Sequence, residues 1–274
     1  MRLTPRYGPT AIIALDGDPA AVAEPCIRQR RRFLAMIQEL TEDEWAHPSR
    51  CDGWSARDVA VHLASTNGFW EASIRLGVDG APTEMLATFD PVRTPARMVA
   101  DSTMSTDEIV ETFATSSKSL ADLLLGLRPA DWIQQAEAPP GHVNVSAVVH
   151  HALWDAWIHE RDIALPLGRT PQAVPDEVIA SLRYVAALTP ALALVAGAKG
   201  GAGFDVSVSD PDANFHVEVA ADVLVTGGTM GSEIELLGSS VDLLEALSFR
   251  RPLDQVIPPE LDWAFAGLGA AFDR

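Results

Sequence analysis

The sequence predicts an α+β protein: a bundle of long helices followed by a small region of strands and one helix. Three observations carry the prediction. Apolar residues recur at helical spacing up to about Ala198, and three capping-box patterns open helical segments within that stretch. After the flexible link Lys199-Gly-Gly-Ala-Gly203 the pattern switches to alternation of apolar and polar residues.

Taken in order, Cys26, Phe33, Ile37 and Leu40 form the first inward stripe, with Pro25 marking the start of that helix or a kink in it. Thr41-Glu-Asp-Glu44 opens a short helical turn. Ser55-Ala-Arg-Asp58 opens a helix running to about Gly77. Ser105-Thr-Asp-Glu108 opens another, with Ile109, Val110, Phe113, Leu120 and Leu124 facing inward. A fourth helix spans about Asn144 to Leu165, and a fifth follows Pro175 and ends near Gly197. Long helices joined by loops are expected to pack as an antiparallel bundle. Beyond the link, Phe204, Val206 and Val208 read as one strand and Phe215, Val217 and Val219 as a second. Asp210-Pro211-Asp212 supplies the turn between them. Ile234 and Leu236 suggest another strand, and Ser239 to Phe249 an amphipathic helix burying Val241, Leu244 and Leu247.

Composition narrows the function. The chain has 274 residues, 47% of them hydrophobic, which is enough for one large domain or two modest ones. A net charge of −18 argues against nucleic acid and anionic membrane surfaces, since both require a basic footprint. It does not exclude an anionic small substrate, because a local arginine can override the global field. Two cysteines, Cys26 and Cys51, are too few for a disulfide framework. The apolar run Ala11 to Leu15 is too short for a signal peptide, and Tyr184 to Ala198 is interrupted by Thr189-Pro190 and falls short of a membrane span. A soluble cytoplasmic protein is expected.

The chemistry concentrates in His150-His151-Ala-Leu-Trp-Asp155-Ala-Trp-Ile-His159-Glu-Arg-Asp162. Asp155 and His159, four residues apart on a helix, share one face with Val145, Val148, Ala152, Ala156 and Ile163. A carboxylate in the middle of a core-facing stripe needs a partner, and a metal ion is one of the few that repays its burial. The best third donor is His62, which faces inward on the second long helix. Two histidines and one carboxylate leave coordination positions open, as catalytic zinc or non-haem iron requires. Around these, His151 falls at the rim of the stripe and Asp162 one turn past His159, where it can orient that imidazole or pair with Arg161 or Arg169. His150 points away, toward solvent. Cys26 and Cys51 read as packing residues, Cys51 near a pocket mouth. Trp54, Trp70, Trp154 and Trp157 read as core more readily than as substrate platforms.

These motifs resemble a family. Leu40-Thr-Glu-Asp-Glu-Trp45 followed by Cys51-Asp-Gly-Trp54-Ser-Ala-Arg-Asp58-Val-Ala-Val-His62 is similar to the N-terminal domain of mycothiol-dependent maleylpyruvate isomerases, within the DinB-like superfamily. Asp155-Ala-Trp-Ile-His159-Glu-Arg-Asp162 resembles that family's second metal motif. Leu243-Leu-Glu-Ala-Leu-Ser-Phe-Arg250-Arg-Pro looks like the end of its small C-terminal domain, related to sterol-carrier folds. The resemblance implies a DinB-like antiparallel four-helix bundle over residues 18–198 and a small α+β domain over 202–274. It also implies zinc or another divalent metal on His62, Asp155 and His159, with mycothiol as cosubstrate. Arg250 is the match for an arginine that meets an anionic substrate, with Arg251 adjacent and Trp54 in the pocket. Two departures stand out: Asp155 where the family more often has glutamate, and Phe249 where it has glycine before the arginine.

The leading expectation is therefore a metal-dependent enzyme that adds a low-molecular-weight thiol to a small electrophile, in thiol transfer or cis-trans isomerisation. A thiol-independent metalloenzyme, a hydrolase or cyclase, is the second reading. A non-enzymatic metal-stabilised binding protein is the third.

Overall fold

The structure, a computed structural model, describes residues 4–88, 90 and 93–271. After strand β1 (Ile13–Leu15), helix α1 (Ala23–Gln38) and the short α2 (Glu42–Trp45) lead to α3 (Ala56–Val78). A 3-10 turn (Met85–Thr88) and α4 (Arg93–Ala100) connect α3 to α5 (Thr106–Gly126). The hairpin of β2 (Gln135–Ala138) and β3 (Gly141–Asn144) then feeds α6 (Val145–Ala164), which is followed by α7 (Pro175–Val195). The remainder comprises β4 (Ala202–Ser209), β5 (Ala213–Val219), β6 (Val223–Gly227), β7 (Ile234–Ser239), α8 (Ser240–Leu247) and α9 (Asp262–Ala271).

Helices α1, α3, α5 and α6 form the expected four-helix bundle, α1 and α3 each packing against both α5 and α6. The capping boxes at Thr41, Ser55 and Ser105 are all made in both directions, which fixes where α2, α3 and α5 begin. Pro25 sits in the first turn of α1, where its missing N–H costs nothing. α6 differs from a surface helix: His150 is its one residue that is not buried. It is the central rod of the molecule. Ion pairs tie its far end into place, with Arg32 of α1 reaching Glu160 of α6 at 2.8 Å and Glu177 of α7 at 2.7 Å.

The sheet runs β1-β6-β5-β4-β7. The β4–β5 and β5–β6 pairs are antiparallel, as the Asp210-Pro211-Asp212 turn requires for the first. The β4–β7 and β1–β6 pairs are parallel. The run Ala11 to Leu15 thus finds its partner in Val223–Val225, more than two hundred residues away. Neither β1, β6, the β2–β3 hairpin, α4 nor α9 is signalled by a local pattern strong enough to predict it. α7 joins the two halves, packing on α6 on one side and on α8, α9, β5 and β6 on the other. It is long and apolar enough to cross a membrane, but 72% of its most apolar window is buried inside the protein, and it serves as a core helix. At its crossing with α9, a Cβ on Gly267 would lie 2.0 Å from the carbonyl oxygen of Thr189, so only glycine permits this approach. That contact brings Leu268 and Gly269 to the edge of a cavity in the bundle.

Candidate metal centre and its cavity

The capping box of Ser55 and Asp58 sets His62 two turns into α3. Asn144 caps α6 through Oδ1, which accepts from the Ala147 amide at 2.7 Å, and so sets the phase of Asp155 and His159. The two helices face each other. His62 Nε2 lies 3.6 Å from Asp155 Oδ2, and His159 Nε2 lies 3.4 Å from Asp155 Oδ1. One donor atom from each residue falls within 4.8 Å of the other two. Ligands bound to zinc at about 2.0–2.1 Å in a tetrahedron stand about 3.4 Å apart, so these separations suit a shared cation.

The donor set also has the signature of a site built for a charge. Asp155 Oδ2 is buried and has no hydrogen-bond partner. An orphaned carboxylate oxygen in a protein interior is costly unless something cationic meets it. Without a metal, burial would raise the Asp155 pKa, but His62 and His159 overcome it and hold the carboxyl well below the usual range. Burial likewise opposes the charge on His159, and Cys51, Asp155 and Asp162 push its pKa well above the ordinary value. The protein thus keeps an anion and a cation together at this point.

Asp162 is the support beneath the site. It is fully buried, and its Oδ2 stands 3.0 Å from His159 Nδ1, leaving Nε2 to face Asp155 and His62. Arg250 donates to both of its oxygens at 2.8 Å, and Arg50 donates from Nε at 3.0 Å. Of the alternatives open in the sequence, Asp162 orients His159, and its arginine partners are Arg50 and Arg250 rather than Arg161 or Arg169. Burial would raise its pKa, yet His159 and Arg250 hold it far below the carboxylate range. Arg50 also reaches Glu245 of α8, which accepts from Arg161 as well, at 2.6 Å. A charge network therefore links the loop before α3, the end of α6 and the turn after α8.

Cys51 belongs to this network. Its thiol donates to Asp162 Oδ2 at 3.2 Å and lies 3.6 Å from His159 Nδ1 and 3.5 Å from Arg250. The sequence reading treats it as packing at a pocket mouth. Its position just before the α3 cap was the available signal for more. Cys26 is fully buried in the core. Arg251, by contrast, turns to the surface and pairs with Asp242 and Asp254.

Above the donors opens a cavity of about 380 Å³. His62, Asp155 and His159 line it, as do Cys51, His151 and Arg250. Trp54, Phe69, Trp70, Trp154 and Ile158 supply its bundle walls, so three of the four tryptophans read as core also face a cavity. Met85, Leu86 and Met98 come from the connection between α3 and α5. Glu137 of β2 anchors that connection, accepting from the Met85 and Leu86 amides at 2.9 and 2.8 Å and from the Thr83 hydroxyl. Phe249 and Leu268 close the cavity from the C-terminal region. Phe249 has φ of 57°, a left-handed conformation at the position after the α8 cap where glycine is favoured. A residue with a Cβ pays about 1–2 kcal/mol for it.

His151 is held from behind by Tyr184, with 2.8 Å between Nδ1 and the phenol oxygen. Burial pushes Tyr184 well above its usual pKa and keeps it a phenol, and His151 Nδ1 is the acceptor within reach of its hydroxyl. His150 is half-buried over Tyr184, with Nδ1 2.8 Å from the Ser146 carbonyl, rather than solvent-facing; the inward packing of α7 covers that side of α6. Burial lowers both histidines to about 4, with Asp155 opposing the shift at His151. Unfolded histidines bind protons near 6.5, so from there down to about 4 the unfolded state takes up more protons and stability falls with pH. Urea unfolding of metal-free protein should show this loss between about pH 6.5 and 4, and His151→Gln should make the slope shallower. A flat profile in both proteins would contradict it.

Fold and site together define a helical-bundle protein with a candidate metal centre under a largely apolar cavity, closed by a C-terminal α+β region. The chain belongs to the family described as the mycothiol maleylpyruvate isomerase N-terminal domain, whose family model matches residues 26–164, just over half of the chain. That match takes in α1 from Cys26, all of α2 to α6, and His62, Asp155 and His159. Among solved structures, the chain is similar to the crystal structure of the mycothiol-dependent maleylpyruvate isomerase and to that of a histidine-to-alanine mutant of the same enzyme. Each has 17% identity and a TM-score of 0.59, with 88% of this chain and 95% of the other covered. No curated protein sequence matches significantly.

Proposed function

We propose that this protein is a divalent-metal-dependent enzyme, zinc being the best match to its donors, that joins mycothiol to a small electrophilic substrate in thiol transfer or cis-trans isomerisation. The observation that carries the reading is the buried Asp155 carboxylate between His62 and His159, one of its oxygens without a hydrogen bond, at the base of a cavity in a chain of this family. His62, Asp155 and His159 would hold the metal, which when bound supplies a Lewis acid that lowers the pKa of a coordinated thiol. Asp162 fixes the His159 ring so that Nε2 faces inward, and Arg250 and Arg50 fix Asp162. The aromatic walls exclude water from the reacting carbon, and His151, held by Tyr184, faces the same cavity. The bundle (18–198) supplies the donors, the C-terminal region (202–274) closes the cavity, and the setting is cytoplasmic. Of that second span, residues 272–274 lie outside the described residues.

The test is titration of mycothiol into the cobalt-substituted protein. The expected result is a near-ultraviolet sulfur-to-cobalt band in wild type that is absent in a cobalt-free control, together with thiol-dependent turnover. Loaded protein that shows no band, or turnover that is unchanged when thiol is omitted, would refute the thiol reading and favour a thiol-independent metalloenzyme.

A further inference from the structure

The cavity has an unusual charge balance for a site that would receive a carboxylate. Arg250 is the one lysine or arginine among the described residues lining it, and both oxygens of Asp162 already take its donors. Asp162 is fully buried, so that pair is a fixed support and not an open cationic surface. Asp52 stands exposed at the cavity, and the chain carries a net charge of −18, so the field at its entrance repels anions. Away from His62, Asp155 and His159 the wall is largely apolar, with the hydroxyl residues Ser65, Thr66, Thr94 and Ser248 among it. Phe249 adds to it by holding a left-handed backbone conformation, with its ring 2.7 Å from where a Cβ on Gly269 would stand.

A neutral imidazole faces this space. No acceptor for the buried Tyr184 hydroxyl other than His151 Nδ1 stands among the described residues, and the tautomer that satisfies it carries the imidazole hydrogen on Nε2. No hydrogen bond to Nε2 forms within the described residues, and His151 lines the cavity. A neutral N–H suits a carbonyl oxygen, whereas a carboxylate would call for a cation other than the metal, whose open positions the thiol would take.

We infer that the second substrate is an uncharged, largely apolar α,β-unsaturated carbonyl compound, with Phe249 and His151 as its specificity-determining residues. The inference rests on the thiol-addition reading for its chemistry, though the shape and charge of the cavity stand without it. The thiol sulfur bonds to the β-carbon, and the π pair of the C=C bond moves toward the carbonyl oxygen facing His151. The proton given up by the thiol returns at the α-carbon, so that thiol and alkene together become one thioether.

Binding and turnover are measured with two probes of similar shape, benzylideneacetone, which is neutral, and benzoylacrylate, which carries a carboxylate. Binding to the zinc-loaded protein is followed without thiol, by quenching of the cavity tryptophans. The neutral probe should bind at least about tenfold more tightly, and Phe249→Gly should weaken it by about tenfold, the effect of exposing much of one aromatic side chain. Glycine suits the backbone at that position, so the variant should fold. His151→Phe should reduce discrimination between benzylideneacetone and its carbonyl-free hydrocarbon analogue. Preference for benzoylacrylate, or binding of neither probe, overturns the inference. Neutral-selective binding without any thiol adduct upholds the substrate class and counts against the thiol reading alone.

Discussion

Replacing His159 with alanine should strip the protein of its metal, taking content from near stoichiometric to less than about a tenth, and reduce turnover by about a thousandfold or more. His159 makes two contacts that no neighbour can replace. Its Nε2 faces Asp155 and His62, while its Nδ1 rests on Asp162. A three-donor site that loses one donor keeps too few ligands to hold a cation against solvent. His62→Ala should have the same consequence, since it removes the single donor contributed by α3. Asp155→Ala distinguishes a metal site from a packed polar cluster. If the cluster only packs, deleting Asp155 should leave His62 and His159 without their buried counter-charge, destabilise the protein and leave metal content unaltered. If it binds metal, content should fall as in the histidine variants. Elemental analysis of the four purified proteins decides, and full metal retention in His159→Ala and Asp155→Ala would remove the basis of the proposed function.

The second large effect is expected from Asp162→Asn, an almost isosteric change that deletes one charge. Asp162 is the anion on which Arg250, Arg50 and His159 converge, and it is fully buried. With asparagine there, Arg250 loses its bidentate partner in the interior. Breaking a buried pair on one side costs about 3–5 kcal/mol, because the remaining charge is left uncompensated. Metal affinity should fall by about 10- to 100-fold as well, since the His159 ring loses its orienting acceptor. Combining Asp162→Asn with Arg250→Met should recover part of the stability but none of the metal affinity. That split separates the two roles. A loss in urea unfolding below about 1 kcal/mol for Asp162→Asn would show that the arginines find other partners and that the network is not the support described.

Much of this was legible in the chain, and the reasons are local. Helix starts at Thr41, Ser55 and Ser105 depend on a side chain meeting an amide three residues away, so the pattern and the bond are the same event. The common face of Asp155 and His159 follows from the helical repeat. The inward face of His62 follows from its spacing to Val59, Thr66 and Phe69. These predictions place the three donors on two helices, and the structure brings the helices together.

The rest is settled at long range. The pairing of β1 with β6 joins segments whose local sequences carry only a short apolar run each. His150 is half-buried because α7 lies over it, a contact that the helical repeat of α6 does not contain. Cys51 and Arg50 are unremarkable until the end of α6 delivers Asp162 beside them. Arg250 lines the cavity where a substrate-facing arginine is expected, and yet its direction is set by a carboxylate 88 positions earlier. By itself, then, the sequence determined the fold class, the long helices and the shared inward face of Asp155 and His159, because those depend on neighbours along the chain. Which charges neutralise one another, and so what kind of molecule the cavity admits, was decided only when distant segments met, because Coulomb and burial energies depend on proximity in space.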